Sequence, residues 1–162
     1  MITQEYLKSI LDYDKDTGDF TWKVKKGSRA LLGSPAGYLN IEGYVYIAID
    51  KKSYLAHRLA WLYTTGSFPI AMIDHVNGLK SDNKLINLRA ATMAQNALNK
   101  EITCHNTSGF KGVRLVKGSY RYRAVCTFNK KITHLGYFDT AEEASEAYKT
   151  FAELKHGEFY HV

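Results

Sequence analysis

Cysteine and long apolar runs are both scarce in this 162-residue chain. The two cysteines, Cys104 and Cys126, are too few for a disulfide framework and lack the CxxC or Cys/His spacing of structural zinc. No apolar stretch approaches the roughly 18 residues of a membrane-spanning helix, and the first residues lack the basic and apolar segments of a secretory signal. We therefore expect a cytoplasmic protein with reduced thiols, no structural zinc and no membrane partner.

Acidic residues are scarce in two parts of the chain, although the net charge is only +6. Residues 51–100 contain seven Lys or Arg against two Asp or Glu, and residues 109–138 contain seven basic residues and no acidic one. A basic face on a folded element is typical of proteins that bind a polyanion, most often nucleic acid. On charge alone, a solvated basic surface is an equal alternative.

Hydrophobic residues make up 45% of the sequence, enough for a packed core in one ordinary domain or two small ones. Thr3 is placed to cap a helix that runs to about Leu11. A small β-meander is predicted from three short strands, at residues 20–24, 37–41 and 44–49. Apolar residues on one helical face predict a second helix over residues 54–65, with Gly66 as its stop.

The middle of the chain predicts a β-β-α unit. An apolar lead-in at Met72-Ile73 precedes a long polar loop, and Leu88 to Ala91 is a short extended run. Thr92 and Gln95 have the spacing of a capping box, which predicts a helix from about Met93 to Lys100.

The C-terminal third predicts a three-stranded antiparallel sheet packed on one helix, which makes the fold class α+β. Its strands are predicted at residues 113–116, 120–128 and 132–137. In the middle strand, Ala124 and Cys126 share one face, whereas Arg121 and Arg123 share the other. Thr140 and Glu143 form a capping box for an amphipathic helix, which covers the apolar face and leaves the arginines exposed.

Polar residues that can carry chemistry are concentrated between Asp74 and Asn96. Asp74 and His75 are neighbours at a strand end, so their side chains point to opposite sides and can serve different tasks. A carboxylate and an amide oxygen suit Mg²⁺ or Mn²⁺, and a neutral imidazole can take a proton from water. The same residue types also occur in ordinary turns, and a single histidine is often a packing residue.

The ordered motifs of residues 51–100 resemble the HNH endonuclease family, in the form common among phage-encoded homing or nicking enzymes. The motifs are His57-Arg-Leu-Ala-Trp61, Ile73-Asp-His-Val-Asn-Gly78, Asp82-Asn83, Asn87-Leu-Arg89 and Gln95-Asn96. The resemblance implies that His75 is the general base and that Asp74 and Asn96 bind one divalent metal ion, Mg²⁺ or Mn²⁺. It also implies that Asn87 braces the loop of the ββα-metal core, and that the products carry a 5′-phosphate and a 3′-hydroxyl.

Three further residues of this segment are candidates for nucleic-acid contact. Arg58 is the better candidate for a phosphate on the second helix, where we favour a structural role for His57. Arg89 is either a phosphate contact or the ion-pair partner of Asp82.

Residues 108–160 resemble the DNA-binding domain of plant APETALA-two and ethylene-response factors. The resemblance lies in Gly109-Phe-Lys-Gly-Val-Arg114, His134-Leu-Gly-Tyr-Phe-Asp-Thr-Ala-Glu-Glu-Ala144 and Ala147-Tyr148. It implies a sheet in the major groove of DNA, with contact positions at Lys111, Arg114, Arg123, Thr127 and His134. The strand alternation adds Arg121 to this face, and Lys117 is expected to hold phosphate.

Together these features predict a metal-dependent DNA endonuclease of the nicking or homing type. We expect a nuclease domain over residues 1–102, with a helix and small sheet in 1–50 and the metal core at about 51–100, and a DNA-binding domain over residues 103–162. The alternative is a non-catalytic DNA-binding protein or regulator. An RNA partner is a further alternative, although a flat basic sheet fits the wide major groove of DNA better. The sequence leaves open a monomer or a homodimer.

Overall fold

A computed structural model describes residues 2–28, 30–98, 102, 106–128 and 131–157. Cys104 and the last two positions of the predicted third helix, 99 and 100, lie outside the described residues. The chain is of the α+β class and divides into two compact units, Met1–Met93 and Ala94–Val162, which are described separately below.

Short elements make up the first unit. In chain order they are α1 (Gln4–Ile10), β1 (Leu11–Tyr13), β2 (Phe20–Trp22), β3 (Tyr38–Leu39), β4 (Val45–Ile49), β5 (Lys52–Leu55), α2 (Ala56–Thr65), β6 (Met72–His75), a 3-10 turn (Leu85–Asn87) and β7 (Leu88–Ala91). The helix α3 (Met93–Leu98) begins at the end of this unit. The predicted order of strand, loop, strand and helix is therefore present.

The first helix begins where its cap predicts. The Oγ1 atom of Thr3 accepts a hydrogen bond from the backbone N–H of Tyr6 at 3.3 Å. Leu7 and Ile10 face inward from α1, one helical turn apart, and are buried. They join a core that also contains Leu11, Ile47 and Leu59, each fully or almost fully buried.

The meander consists of different strands from those predicted. The strand at Phe20 pairs with β1 in a separate two-stranded ribbon, and the meander consists of β3, β4 and β5. The third strand was missed because Asp50 and Lys51 form the tight turn before it, with φ values of 49° and 65°. Two-residue hairpin turns of this kind favour Asn and Gly, so Asp-Lys carries no turn signal. For the same reason α2 starts at Ala56, two residues later than predicted.

An antiparallel ribbon of β6 and β7 supports the candidate site. Its register pairs Asp74 with Arg89 and His75 with Leu88. The backbone N–H of Val76 donates to the carbonyl of Asn87 at 2.8 Å, which continues the ladder past the strand end. The polar loop of residues 77–84 is thus anchored at both ends by the same ribbon.

The second unit is a three-stranded antiparallel sheet packed on a long helix. Its elements are β8 (Val113–Leu115), β9 (Tyr122–Phe128), β10 (Lys131–Phe138) and α4 (Ala141–His156), and β9 is the central strand. Thr140 and Glu143 form both halves of the predicted capping box. Ala124 and Cys126 are buried, with Ala144 and Tyr148 of α4 in the same clusters. The predicted architecture of this part is confirmed.

Two further features concern exposure and reactivity. Among the described residues, no helix combines the length and apolarity that crossing a membrane requires. Burial raises the pKa of the Cys126 thiol, so this cysteine is a packing residue rather than a nucleophile.

The contact between α4 and β9 leaves no room for a side chain at Gly112. This residue has φ of +71°, and a Cβ atom there would overlap the ring of Tyr148 and lie 2.6 Å from the carbonyl oxygen of Val125. Gly109 has a similar φ of +77° but open space around it. The pair therefore separates the cost of the backbone conformation from the cost of the clash.

We predict that Gly112→Ala lowers the free energy of unfolding by about 2 kcal/mol more than Gly109→Ala, because overpacking adds about 1 to 3 kcal/mol. Both variants share the backbone cost of roughly 1 to 2 kcal/mol for a left-handed alanine. Urea unfolding followed by circular dichroism measures the difference. Equal losses would show that the helix does not lie this close to Gly112.

Candidate functional site

Asp74 and Arg89 form a buried ion pair across the β6–β7 ribbon. Both Nε and an Nη atom of Arg89 donate to Oδ2 of Asp74, at 2.9 and 2.7 Å. The side chains are 14% exposed for Arg89 and 4% exposed for Asp74. The sequence offers Arg89 as a phosphate contact or as the ion-pair partner of Asp82, and the structure pairs its guanidinium with Asp74. The phosphate contact stays a prediction.

His75 lies beside this pair at the strand end and is 5% exposed. Its Nε2 atom is 3.3 Å from Oδ1 of Asn83, whose Nδ2 donates to the carbonyl of Ser81 at 3.1 Å. That second bond orients the amide so that its oxygen faces the imidazole, an arrangement that suits the tautomer protonated on Nε2. Burial lowers the pKa of His75, against opposing contributions from Asn83 and Asp74. The imidazole is therefore neutral at physiological pH.

Two aromatic side chains, His57 and Tyr44, lie against His75. The rings of His57 and His75 meet edge to face, with centroids 5.0 Å apart. The Tyr44 ring is 5.6 Å from His57 and 6.2 Å from His75. His57 is 6% exposed and lies on the inward face of α2, in agreement with the structural role favoured from the sequence. The sequence did not indicate a role for Tyr44, because the fold of the meander, rather than a local motif, determines where this ring lies.

The pKa of His57 is lowered to about 3, first because the ring is buried and then because His75 and Arg58 are close. Protonating either histidine would place a charge in a site that solvent barely reaches. The two imidazoles therefore form a neutral pair at physiological pH. His57 belongs to α2, and His75 lies at the end of β6.

The side chain of Asn87 braces the polar loop of residues 77–84. Its Oδ1 accepts a hydrogen bond from the backbone N–H of Asn77 at 2.9 Å, and its Nδ2 donates to the carbonyl of Asp82 at 2.7 Å. One buried amide thus joins both sides of the loop. The side chain of Asn77 donates to Asp82 Oδ2 at 2.8 Å and closes the turn further.

Lys80 ties the loop to the N-terminal part of the first unit. Its Nζ atom donates to the carbonyl of Glu42 at 3.1 Å and lies 5.2 Å from the ring centroid of Tyr44. Because Tyr44 also contacts both histidines, the loop, the meander and the imidazoles form one connected cluster.

The donor chemistry of the predicted metal ligands fits a hard divalent cation. Asp74 offers a carboxylate, and Asn96, half-buried on α3 in the second unit, offers an amide oxygen. Among the described residues, no group of three or more His, Cys, Asp and Glu side chains is placed to hold a metal. Mg²⁺ commonly takes one or two protein ligands and completes its shell with water and substrate phosphate, so a small donor set is compatible with it.

The second unit presents arginines side by side on the sheet face opposite α4. Arg114 and Arg123 are direct cross-strand partners, and Tyr137 stands opposite Arg123 on the third strand. Like charges directly opposite each other destabilise a sheet unless an anion neutralises them. This row is therefore suited to an anionic partner.

The other predicted contact residues occupy different surroundings. Thr127 and His134 line the same groove as Arg114 and Arg123. Lys117 lines a second groove together with these two arginines. Arg121 is exposed and forms an ion pair with Asp139 at 3.1 Å. Lys111 precedes β8, and Arg58, on α2 of the first unit, lies 5.8 Å over the ring of Phe68.

Comparison with known proteins identifies relatives of this chain. Residues 54–98 match the family described as HNH endonuclease. A protein named "Uncharacterized HNH endonuclease L560", from Acanthamoeba polyphaga mimivirus, is 32% identical over 124 residues, which is 75% of this chain and 63% of that protein. The chain therefore spans less than two thirds of the length of this relative.

Two further similarities extend the comparison. "Protein 3.8" of Escherichia phage T7 is 33% identical over 104 residues, which cover 64% of this chain and 85% of the phage protein. A solved structure described as "DNA binding and cleavage by the HNH homing endonuclease I-HmuI" is 18% identical, with a TM-score of 0.44 and coverage of 94% of this chain and 87% of that one.

The two buried histidines make stability depend on pH. A histidine whose pKa is lower in the folded state stabilises the fold above its unfolded pKa of about 6.5, and that stability is lost as the pH falls toward the folded pKa. For His57 this window extends from about 6.5 to about 3.

We predict that the free energy of unfolding falls below about pH 6 with a contribution of up to about 1.4 kcal/mol per pH unit from His57. In His57→Phe, which keeps an aromatic ring against Tyr44, this contribution is absent and the slope is smaller. Urea unfolding between pH 7.5 and 5 measures both slopes. A variant slope equal to that of the wild type would exclude proton-linked burial of His57.

Proposed function

Because the chain belongs to the HNH endonuclease family, we propose that it is a metal-dependent DNA endonuclease that hydrolyses phosphodiester bonds to 5′-phosphate and 3′-hydroxyl ends. The assignment to this family rests on the matched segment 54–98 and on the mimivirus relative named as an HNH endonuclease, which is 32% identical over 75% of this chain. The observation that carries the activity is a neutral, buried imidazole, His75, adjacent to a buried carboxylate, Asp74.

His75 is the general base in this proposal. Its proton on Nε2 is directed to Asn83, so Nδ1 is the nitrogen that accepts the proton of the attacking water. The lowered pKa keeps the ring unprotonated at neutral pH, and the contacts with His57 and Tyr44 limit its rotation. Asn87 acts as a positioning residue, because it braces the loop that carries Asn83.

Asp74 and Asn96 are the proposed ligands of one Mg²⁺ or Mn²⁺ ion. When bound, the ion supplies Lewis-acid stabilisation for the charge on the scissile phosphate and the departing 3′ oxygen. The protein's part is to provide a preoriented carboxylate, which the β6–β7 ribbon holds in place.

The second unit supplies the binding energy that directs cleavage. We assign the row of Arg114, Arg123 and Tyr137 to duplex DNA, in keeping with the resemblance of residues 108–160 to the APETALA-two and ethylene-response-factor domain. The nuclease chemistry itself is blind to base sequence, so preference for a site has to come from contacts to base edges. One base and one metal site per chain favour a nick, as in nicking or homing enzymes, and a homodimer would be needed to cut both strands together.

One observation supports the rival function of a non-catalytic DNA-binding protein. Asp74 is already paired with Arg89, and His75 is 5% exposed, as in a site that has become a structural clamp. The two functions share the DNA-binding face and differ in hydrolysis alone.

We predict that the purified chain relaxes supercoiled plasmid in the presence of Mg²⁺ or Mn²⁺ and that His75→Ala lowers the rate by roughly a hundredfold or more, the usual contribution of a general base. Ile86→Ala is the matched control, because Ile86 lies in the 3-10 turn that follows the polar loop but is 90% exposed. Agarose gels follow the reaction, and end-mapping of both strands reports its position. Binding without cleavage across a range of divalent metals would establish the rival function, and a preference for RNA duplex in competition would overturn the DNA assignment.

We predict that Arg123→Ala reduces preference for the cleavage site by about 5- to 150-fold, since a bidentate arginine contact discriminates by about 1 to 3 kcal/mol, and changes cleavage of unrelated DNA less. Lys155→Ala removes the same charge from α4, which packs on the other side of the sheet, and leaves the preference unchanged. Cleavage of mixed specific and unrelated duplexes measures both. Equal losses on the two substrates would contradict a division of labour between the units.

A further inference from the structure

The ion pair of Arg89 with Asp74 gives the proposed metal ligand a resident positive charge. Arg89 stands directly opposite Asp74 in the β6–β7 register, and the strand pairing holds the two side chains together. Two of its donors reach the same carboxylate oxygen, Oδ2. A guanidinium is charged at every pH at which the protein is folded.

Burial makes this charge matter for any cation that approaches. Both side chains are largely removed from solvent, where charges are screened far less than at a surface. A divalent ion at Asp74 meets attraction from the carboxylate and repulsion from the guanidinium beside it. A neutral donor in place of Arg89 could orient the carboxylate equally well without this repulsion.

We propose that Arg89 and the divalent metal ion compete for Asp74, so that Arg89 sets the metal affinity of the site. The ion takes over the balancing of the carboxylate charge, and the guanidinium turns toward the adjacent phosphate, which it binds through two parallel hydrogen bonds. This inference rests on the proposed function, because it concerns the same metal ligand. It also joins the two roles of Arg89, ion pair and phosphate contact, as successive states of one side chain.

Competition by Arg89 and mere orientation of Asp74 by Arg89 predict different changes in Mn²⁺ affinity when the charge of Arg89 is removed. If Arg89 competes, Arg89→Gln, which keeps a hydrogen-bond donor and removes the charge, binds Mn²⁺ at least about tenfold more tightly than the wild type. Arg89→Lys, which keeps the charge, stays within about threefold of the wild type. If Arg89 only orients Asp74, Arg89→Gln binds Mn²⁺ equally well or more weakly, and the proposal is wrong.

Isothermal titration of the 162-residue chain with Mn²⁺ measures these affinities without any nuclease activity. Asp74→Asn, alone and combined with Arg89→Gln, identifies the heat that belongs to this site. If wild type and Arg89→Gln both show no Asp74-dependent binding, the metal assignment of the proposed function fails. If Asp74-dependent binding is present and Arg89→Gln leaves it unchanged, the competition fails alone.

A second measurement uses the wild-type chain and does not depend on the folding of any variant. Because binding linkage is reciprocal, Mn²⁺ must loosen the Arg89 contact if Arg89 weakens Mn²⁺ binding. Modification of arginines by phenylglyoxal, followed by mass spectrometry, should label Arg89 several-fold faster with saturating Mn²⁺. The exposed Arg114 serves as the internal reference. Unchanged or slower labelling of Arg89 relative to Arg114 overturns the proposal.

Discussion

The candidate site depends on the register in which β6 pairs with β7. This register places Arg89 opposite Asp74 and carries Asn87 to the position from which its amide spans the polar loop. A shift by one residue would turn Asp74 and Arg89 to opposite faces of the ribbon and separate His75 from Asn83. Buried polar groups without partners are costly, so the hydrogen bonds and the ion pair themselves oppose such a shift.

Burial determines the protonation state of the two histidines, because it lowers the pKa of both. The contact of His57 with His75 is tolerable because both rings are neutral, and burial keeps them so. The neighbouring Asp74 would favour a charged His75, yet its own charge is directed largely toward Arg89. The ion pair thereby helps to leave an unprotonated base next to a carboxylate. Such an arrangement is needed for hydrolysis near neutral pH and is hard to maintain in open solvent.

The two units differ in how their charged side chains are paired. In the first unit, opposite charges meet across a ribbon and are buried. In the second, Arg114 and Arg123 meet across a sheet as like charges at the surface, an arrangement that costs stability in the unbound protein. We interpret the surface row as a binding face and the buried pair as part of a catalytic site. Residues within one chain can thus be assigned to different tasks by where their charge is balanced.

Much of the local structure followed from the sequence, because caps and alternation act over a few residues. Thr3 and Thr140 begin helices as predicted, and the period-two pattern of β9 separates Arg123 from the buried Ala124 and Cys126. Residue chemistry also proposes Asp74 and His75 as reactive groups, and both lie at the end of β6. The sequence did not predict the turn at Asp50-Lys51, because neither residue is the Asn or Gly that such turns usually contain. The pairing of β4 with β5 imposes the positive φ values of the two residues.

What the sequence by itself determined is therefore the set of candidate reactive groups and most of the elements that carry them. Only the tertiary structure decided their partners: Arg89 on Asp74 instead of Asp82, His57 and Tyr44 against His75, and Lys80 on Glu42. These contacts join residues from separate elements, and their strength comes from burial and distance, which depend on how the whole unit packs.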